Sequence, residues 1–259
     1  MASTTSTVNP KPARKPRTKP EPLPVNYQPE QHLYEIGIDE AGRGPLFGPL
    51  CVAGVVLPKD PSFDTTYIRD SKKLTKKKLN EMYDCIRAKA LAYHVEFVEP
   101  KVIDEINIRE AVLKAMHTCA VQCVEQLRNK PVEETTDTND TTTTTADTTP
   151  YFLCVDGNDC PAVHVNEEVI PGKAFTSGDN TFAHIAAASI LAKVSRDRCI
   201  LDLCEQYPKL KEKYKMDNHK GYGTKAHLDA IREFGITELH RKTFGICKTS
   251  SCTPMSELL

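Results

Sequence analysis

The chain has 259 residues, of which 39% are hydrophobic and 27% charged, and it contains no Trp. This composition is typical of a globular protein and excludes collagen-like, disulfide-knotted and wholly disordered chains. No apolar run approaches the ~20 residues that cross a membrane, and the N-terminus lacks the apolar stretch of a secretion signal. Ten cysteines in such a chain favour reduced thiols, so we expect an intracellular protein without membrane attachment.

The formal net charge of −1 is a sum over the whole chain, which includes a basic segment and an acidic segment. Residues 1–30 are rich in Pro, Thr and Lys and lack apolar periodicity, which predicts a disordered basic arm. Residues 131–150 form an acidic, Thr-rich tract with too few apolar side chains to offset the entropy cost of ordering, so we expect a disordered insertion. The basic arm fits a nuclear address, and its Ser/Thr-rich start resembles an organellar transit peptide. A cytoplasmic location is the favoured expectation, with those two alternatives open.

Between these segments, hydrophobic patterns alternate between those of strands and those of helices. Strands are predicted over 34–39, 50–57, 93–97, 151–155 and, more weakly, 168–172. Helices are predicted over 76–90 with Thr75 as cap, from the Asn107 cap to about 128, over 182–207, and over 225–234 with Thr224 as cap. Five strands with interspersed helices indicate an α/β sheet, and residues 208–259 are predicted to form a helical C-terminal appendage.

Acidic residues stand where these predicted elements end. Asp39 and Glu40 close the first strand, Asp156 closes the fourth, and Asp179 precedes the Ala-rich helix. Such carboxylates can converge above one edge of a sheet, where hard oxygen ligands suit Mg²⁺ or Mn²⁺. Each of them alone also fits a simpler interpretation, because Asp beside Gly is a common turn pair and Asp before a helix is a common cap.

The long sequence GIDEAGRGPLFGPL around the first acidic pair is more specific. It resembles the opening motif of the type 2 ribonucleases H, the ribonuclease HII family. Four further blocks match that family in order: DSKKLT at 70–75, VDGN at 155–158, AAASILAKVSRD at 186–197 and HKGYGT at 219–224. The resemblance spans roughly residues 34–234. The residues in these blocks are more similar to those of bacterial members than to those of the eukaryotic catalytic subunit.

This resemblance implies a ribonuclease-H-like mixed five-stranded sheet flanked by helices, as a catalytic domain over residues 31–207. It assigns the binding of two divalent cations, Mg²⁺ or Mn²⁺, to Asp39, Glu40, Asp156 and Asp179. The implied reaction cuts the RNA strand of RNA/DNA hybrids, and duplex DNA on the 5′ side of an embedded ribonucleotide. It leaves 5′-phosphate and 3′-hydroxyl ends, and it implies roles in primer removal and ribonucleotide excision.

The resemblance also assigns residues to substrate binding: the GRG element Gly42, Arg43 and Gly44, the stacking tyrosine Tyr222, and the basic pair Lys72 and Lys73. In the family, the GRG element contacts the ribose 2′-hydroxyl, and glycine permits the close backbone approach that this needs. The tyrosine stacks on the deoxyribose after the ribonucleotide. Bacterial members usually have Pro where this chain has Gly223, which loosens the tyrosine's loop.

Other polar residues near these motifs have simpler interpretations. Asp179 is preferred to Asp197 as the fourth carboxylate, because Asp197 stands four residues after Lys193 and suits a helical ion pair. His184, one turn into the same helix, could help in product release or metal handling, but the favoured prediction is a helix-surface histidine. The cysteine pairs 119/123 and 199/204 lack partners at zinc spacing, so we expect small packing residues there.

Two other functions remain open from the sequence alone. A related two-metal nuclease could act on DNA, although the GRG element and Tyr222 favour recognition of a ribose. A non-catalytic nucleic-acid-binding module could descend from such an enzyme, but all four carboxylates are present. The expected partners are RNA/DNA hybrid and ribonucleotide-containing duplex DNA, bound by a monomer, with a required partner subunit left open.

Overall fold

A five-stranded mixed sheet lies at the centre of the computed structural model, which describes residues 21–60, 63–69, 71–130 and 149–259. Side by side, the strands are β3 (Ala92–Val98), β2 (Leu50–Val56), β1 (Tyr34–Ala41), β4 (Tyr151–Asp156) and β7 (Gly172–Phe175), numbered in chain order. β1 is antiparallel to β2 and parallel to β4, and β4 is parallel to β7. The carboxyl ends of β1, β4 and β7 therefore meet at one edge of the sheet.

All five predicted strands are present, but the fifth does not belong to the main sheet. β2 is buried at every position, which explains its continuous apolar pattern. The weak pattern at 168–172 belongs instead to β6 (Glu168–Ile170), which pairs with β5 (Val163–Val165) in a separate two-stranded sheet. The fifth strand of the main sheet is β7, whose sequence GKAF carries no apolar signal because this edge strand is largely exposed.

Helices cover both faces of the sheet: α1 (Lys76–Lys89), α2 (Pro100–Ile106), α3 (Ile108–Arg128) and α4 (Ala183–Gln206). The predicted caps are present, since Thr75 Oγ1 accepts from the amide of Lys78 and the Asn107 side chain accepts from the amides of Arg109 and Glu110. Helix α3 packs in one core cluster with the apolar side chains of β1 and β4, and α4 packs with α1 on the opposite face. No helix in the described residues is long and apolar enough to cross a membrane.

The C-terminal region forms its own core cluster beside the second half of α4. It contains α5 (Pro208–Glu212), α6 (Met216–His219), α7 (Lys225–Phe234) and a short parallel pair, β8 (Ile236–Thr237) with β9 (Cys252–Thr253). Helix α7 and its Thr224 cap agree with the sequence prediction. Phe47, which follows the GRG element, is buried in this cluster and so ties the region to the central sheet.

The prediction of disorder through residue 30 is wrong for the N-terminal strap, residues 23–28. The carbonyl of Pro24 accepts a hydrogen bond of 2.8 Å from the amide of Ala183 at the start of α4. Leu23 and Val25 pack against the core cluster on that face. A Pro-rich composition hid these apolar residues, which gain their partners only from tertiary packing. Residues 1–20 and 131–148, the rest of the two segments predicted to be disordered, lie outside the described residues.

Gly37→Ala is expected to destabilise the protein, because the added Cβ would lie 2.3 Å from the backbone carbonyl carbon of His184 on α4. Moving that helix away from β1 should lower the melting temperature by about 5 °C or more, on the typical cost of overpacking. Thermal melting followed by circular dichroism measures the effect. Gly44→Ala is the matched control, since nothing lies within 4 Å of its Cβ position. Equal melting of both variants would contradict this packing.

Candidate active site

The four carboxylates selected from the sequence line one cleft of about 430 Å³ at the carboxyl edge of the sheet. Asp39 and Glu40 lie near the end of β1, and Asp156 is the last residue of β4. Because β1 and β4 are parallel and Ile38 pairs with Val155, the next residues, Asp39 and Asp156, stand side by side. The strand pairing itself thus brings two carboxylates together.

Asp179 joins this group through a turn that follows β7. It lies in a single 3₁₀ turn, Gly178–Asn180, whose first amide donates a 2.7 Å hydrogen bond to Asp156 Oδ1. Asn180 donates to Asp179 Oδ1 at 2.8 Å. Asp197, the rejected candidate, accepts a 2.8 Å hydrogen bond from Lys193 Nζ instead, as its helical spacing predicts. The structure therefore brings Asp179 to the cleft lined by the other three carboxylates.

Burial and mutual repulsion shape the electrostatics of the cleft. Burial raises the pKa of Asp39 well above its ordinary value, and the charges of Asp156 and Glu40 raise it further, against hydrogen bonds from Ser189 and from the Glu40 amide. Burial also raises the pKa of Glu40, although Arg43, 3.6 Å away, opposes this shift. A cluster of carboxylates with these shifted pKa values favours the binding of cations.

The GRG element lies on the rim of the same cleft. Gly42 has a φ of 91°, and a Cβ there would lie 2.1 Å from Arg196 Nε, so this glycine makes room for a buried guanidinium. Gly44 has open space around its Cβ position. The side chain of Arg43 is 51% exposed beside Glu40, which leaves its guanidinium able to reach a ligand in the cleft.

Two buried arginines hold this rim, and the sequence analysis did not assign a role to either. Arg196 and Arg241 are at most 1% exposed. Burial lowers the pKa of Arg241 to about 9, and the neighbouring Arg196 adds to this shift. Their guanidinium groups donate only to backbone carbonyls in the described bonds: Arg241 to Gly42, Arg43 and Gly48, and Arg196 to Phe47, Pro49 and Lys220. Arginine is usually exposed, so sequence pattern alone gives no signal for this role.

Tyr222 lines the same cleft as the carboxylates and is 43% exposed. Its ring centroid lies 5.8 Å from the guanidinium carbon of Arg196. The preceding Gly221 accepts a 2.9 Å hydrogen bond from the amide of Leu46, so its loop is attached to the chain that follows the GRG element. An exposed aromatic ring on an anchored loop is suited to stacking on a nucleotide.

A directed chain of hydrogen bonds fixes the backbone of Tyr222. The amide of Thr237 donates to His240 Nδ1 at 2.9 Å, so the proton of His240 resides on Nε2. That atom donates to His227 Nε2 at 3.1 Å, and His227 Nδ1 donates to the carbonyl of Tyr222 at 3.0 Å. Burial lowers the pKa of His227 to about 4 and that of His240 to about 3, which keeps both rings in the neutral form that this chain requires.

The structure describes the side chain of one member of the basic pair that was predicted to bind substrate. Lys72 lines the cleft beside Ser71, whereas the side chain of Lys73 lies outside the described residues, as does Asp70. Lys193 also lines the cleft, so the ion pair that it forms with Asp197 does not remove it from the site. Lys78, in the first turn of α1, forms an ion pair with Glu81.

The prediction of a helix-surface position for His184 is wrong. This residue is fully buried, because the start of α4 packs directly on β1 at Gly37. Its imidazole lies against Glu35, with 3.6 Å between Nε2 and Oε2. Helical spacing alone could not show this, since α4 is buried around most of its circumference in its first half.

Carboxylates gathered at the ends of neighbouring strands, beside a basic rim, place the chain in the class of ribonuclease-H-like nucleases. The family follows from sequence comparison: the family model described as Ribonuclease HII matches residues 36–247, and the chain belongs to that family. Its members are endonucleases that act on the RNA strand of RNA/DNA hybrids. The family predicted from the sequence blocks is thus confirmed.

Individual relatives and solved structures agree with this assignment. A ribonuclease HII of Endomicrobium trichonymphae is 41% identical over 209 residues, covering 80% of this chain and 83% of the relative. One of Francisella tularensis subsp. novicida is 39% identical, covering 81% and 95%. In the structure of the PCNA:RNase HII complex from Archaeoglobus fulgidus, a chain 25% identical superposes with a TM-score of 0.56, covering 82% of this chain and 96% of that one. A Bst-RNase HIII structure with Mn²⁺, 16% identical with a TM-score of 0.57 and covering 85% and 70%, shares the fold.

Arg241→Met is expected to damage both the stability and the activity of the enzyme. It leaves three carbonyls of the rim without their donor, and each buried unsatisfied group costs about 1–3 kcal/mol. We expect a melting temperature lower by about 5 °C or more and at least tenfold slower cleavage of an RNA/DNA hybrid. Arg198→Met, at a partly exposed arginine of the same helix as Arg196, is the control. If Arg241→Met matched this control in both assays, the rim would not depend on the buried guanidinium.

Proposed function

We propose that Asp39, Glu40, Asp156 and Asp179 hold two divalent cations, Mg²⁺ or Mn²⁺, and that the cleft cuts RNA on the 5′ side of a ribonucleotide. The products would carry 5′-phosphate and 3′-hydroxyl ends. The observation that carries this proposal is the parallel register of β1 and β4, which sets Asp39 beside Asp156 at the floor of the cleft. Belonging to the ribonuclease HII family supports the same reaction.

The donor set fits hard cations. All four groups offer carboxylate oxygens, the ligands that Mg²⁺ and Mn²⁺ prefer. Burial and, after it, the charges of Asp156 and Glu40 raise the pKa of Asp39, as expected where several carboxylates share one cleft. Such cations, when bound, supply activation of a water and stabilisation of charge on the scissile phosphate and the leaving oxygen. The hydrogen bond from the Gly178 amide to Asp156 attaches the turn that carries Asp179 to the end of β4, and Asp179 lines the same cleft.

In this proposal, residues on the rim of the cleft select the substrate. Arg43 and the backbone of the GRG element contact the ribose 2′-hydroxyl, which DNA lacks. Tyr222 stacks on the deoxyribose that follows the ribonucleotide, so duplex DNA with an embedded ribonucleotide is a substrate besides RNA/DNA hybrid. Lys72 and Lys193, both on the cleft, lie where they can contact backbone phosphates.

We also propose that the enzyme acts as a monomer in a reducing compartment, the cytoplasm. Support for the monomer comes from the cleft, to which one chain supplies all the proposed site residues. Support for the compartment comes from the ten cysteines, all of which are free thiols. The archaeal structural relative was solved with PCNA, so a sliding-clamp partner is the alternative to an enzyme that acts alone. The basic residues of the first twenty positions would add phosphate contacts that weaken with salt.

Asp156→Asn is expected to abolish cleavage and to leave the fold intact, because an amide removes the charge that holds a cation but keeps the shape of the side chain. The assay compares a hybrid, a duplex with one embedded ribonucleotide and plain DNA, each with Mg²⁺ or with EDTA. Asp159→Asn, an exposed acidic residue of the following loop, is the control and should keep activity near that of the wild type. Cleavage of plain DNA by the wild type would favour the DNA nuclease, and wild-type turnover by Asp156→Asn would refute the assignment.

Tyr222→Ala should affect the two ribonucleotide substrates unequally. Stacking on a nucleotide contributes on the order of 1–3 kcal/mol, so cutting at a single embedded ribonucleotide should slow by roughly ten- to a hundredfold. A continuous RNA/DNA hybrid should be cut at a rate closer to that of the wild type. Tyr222→Phe is the matched control, because it keeps the ring and should retain most of the activity. Equal losses on both substrates would mean that this ring serves general binding only.

A further inference from the structure

Three buried side chains that the proposed reaction does not use lie behind the catalytic carboxylates. Glu35 stands four residues before Asp39 on β1, and Cys154 stands two residues before Asp156 on β4. Because strand side chains alternate, each shares a sheet face with its carboxylate, and this is the face that α4 covers. His184 lies in the first turn of α4, and one ligand atom from each of the three side chains lies within 4.8 Å of the other two.

The imidazole of His184 lies in this cluster. Among the described residues, neither of its ring nitrogens makes a hydrogen bond of normal length and angle, although the side chain is fully buried and the backbone of Val25 lies near the ring. Its Nε2 lies 3.6 Å from Glu35 Oε2, and the sulfur of Cys154 lies 3.6 Å from the same oxygen. The Cys154 thiol thus donates a hydrogen bond to Glu35. Buried polar side chains almost always find partners, so the two imidazole nitrogens of His184 call for an explanation.

The charge of Glu35 also lacks a full counterpart. The amides of Tyr27 and Gln28, in the strap over residues 23–28, donate to its two oxygens at 2.5 and 2.7 Å. The described ion pairs of Glu35 include no lysine or arginine, only His184. Burial lowers the pKa of His184 to about 3, although the nearby carbonyl of Val25 opposes this shift. In the tautomer protonated on Nδ1, the neutral ring presents a lone pair at Nε2 to the buried carboxylate, and a cation between the two makes that contact favourable.

We propose that Glu35, Cys154 and His184 supply three ligands to one Zn²⁺ ion at a site separate from the catalytic carboxylates. A nitrogen, an oxygen and a sulfur ligand together select zinc, whereas the all-oxygen cleft selects Mg²⁺ or Mn²⁺. Zinc bonds of about 2.0–2.3 Å place neighbouring ligands about 3.3–3.8 Å apart in a tetrahedron, and both measured separations are 3.6 Å. Binding replaces the thiol proton of Cys154 by a sulfur–zinc bond and releases that proton to solvent.

Such an ion would fasten three elements that carry catalytic carboxylates. It joins β1, β4 and the first turn of α4, directly behind Asp39, Asp156 and the turn that holds Asp179. The strap is attached to the same site, because the amides of Tyr27 and Gln28 donate hydrogen bonds to the Glu35 carboxylate. Loss of the ion should therefore loosen the start of α4 and the strap.

The test uses the full-length protein, stripped of metal and then supplied with excess Mg²⁺ to occupy the carboxylate cleft. Titration with Co²⁺, a spectroscopic substitute for zinc, should produce a thiolate-to-cobalt charge-transfer band in the near ultraviolet, which carboxylates cannot give. Zn²⁺ should bind with one ion per chain by mass spectrometry and raise the melting temperature by about 5 °C or more at a hundredfold excess over its Kd.

Cys154→Ser should lose the band and the zinc-dependent rise in melting temperature. Cys160→Ser, a half-buried cysteine of the following loop, and Asp156→Asn, which changes only the cleft, should keep both. If Cys154→Ser does not fold, His184→Gln provides the same comparison through zinc stoichiometry. Absence of the band from the wild type, or its persistence in Cys154→Ser, overturns the proposal and leaves hydrogen bonds from Cys154 and from a neutral His184 to Glu35 as the account of the cluster.

Discussion

The parallel pairing of β1 with β4 sets two like charges side by side, and much of the molecule serves to keep them there. Asp39 and Asp156 meet because Ile38 pairs with Val155. Burial and, after it, the charges of Asp156 and Glu40 raise the pKa of Asp39, so both disfavour ionised carboxylates at this place. The opposing stabilisation comes from the apolar cores on both faces of the sheet and from α4, which packs on β1 at Gly37. The fold thus bears an unfavourable charge cluster that divalent cations relieve.

The rim of the cleft is built from the backbone, and the C-terminal region supplies the groups that hold it. Arg241 binds the carbonyls of the GRG element, and Arg196 connects the same stretch to Lys220, two residues before Tyr222. The histidine chain from Thr237 through His240 fixes the carbonyl of Tyr222. The C-terminal region therefore acts as the support for substrate recognition, although only Tyr222 of its residues lines the cleft.

Local signals in the sequence predicted most of the fold, and tertiary contacts account for what was missed. Caps such as Thr75 and the continuous apolar run of β2 are local features, so those elements were placed correctly. β7 and the strap were not, because an exposed edge strand and a Pro-rich segment show no periodicity. The four carboxylates came from strand ends and family motifs, whereas the buried roles of Arg196, Arg241 and His184 depend on residues distant in the chain.

The most direct test of this account compares melting temperatures of the wild type and Asp39→Asn, in EDTA and in Mn²⁺. Asn keeps the hydrogen-bond acceptor that Asp39 offers to the Glu40 amide but removes one of the crowded charges. If the strand pairing forces like charges together and cations relieve them, Asp39→Asn melts higher than the wild type in EDTA, and Mn²⁺ stabilises the wild type more than the variant. A wild type that melts higher in EDTA, or equal stabilisation of both proteins by Mn²⁺, would contradict the account.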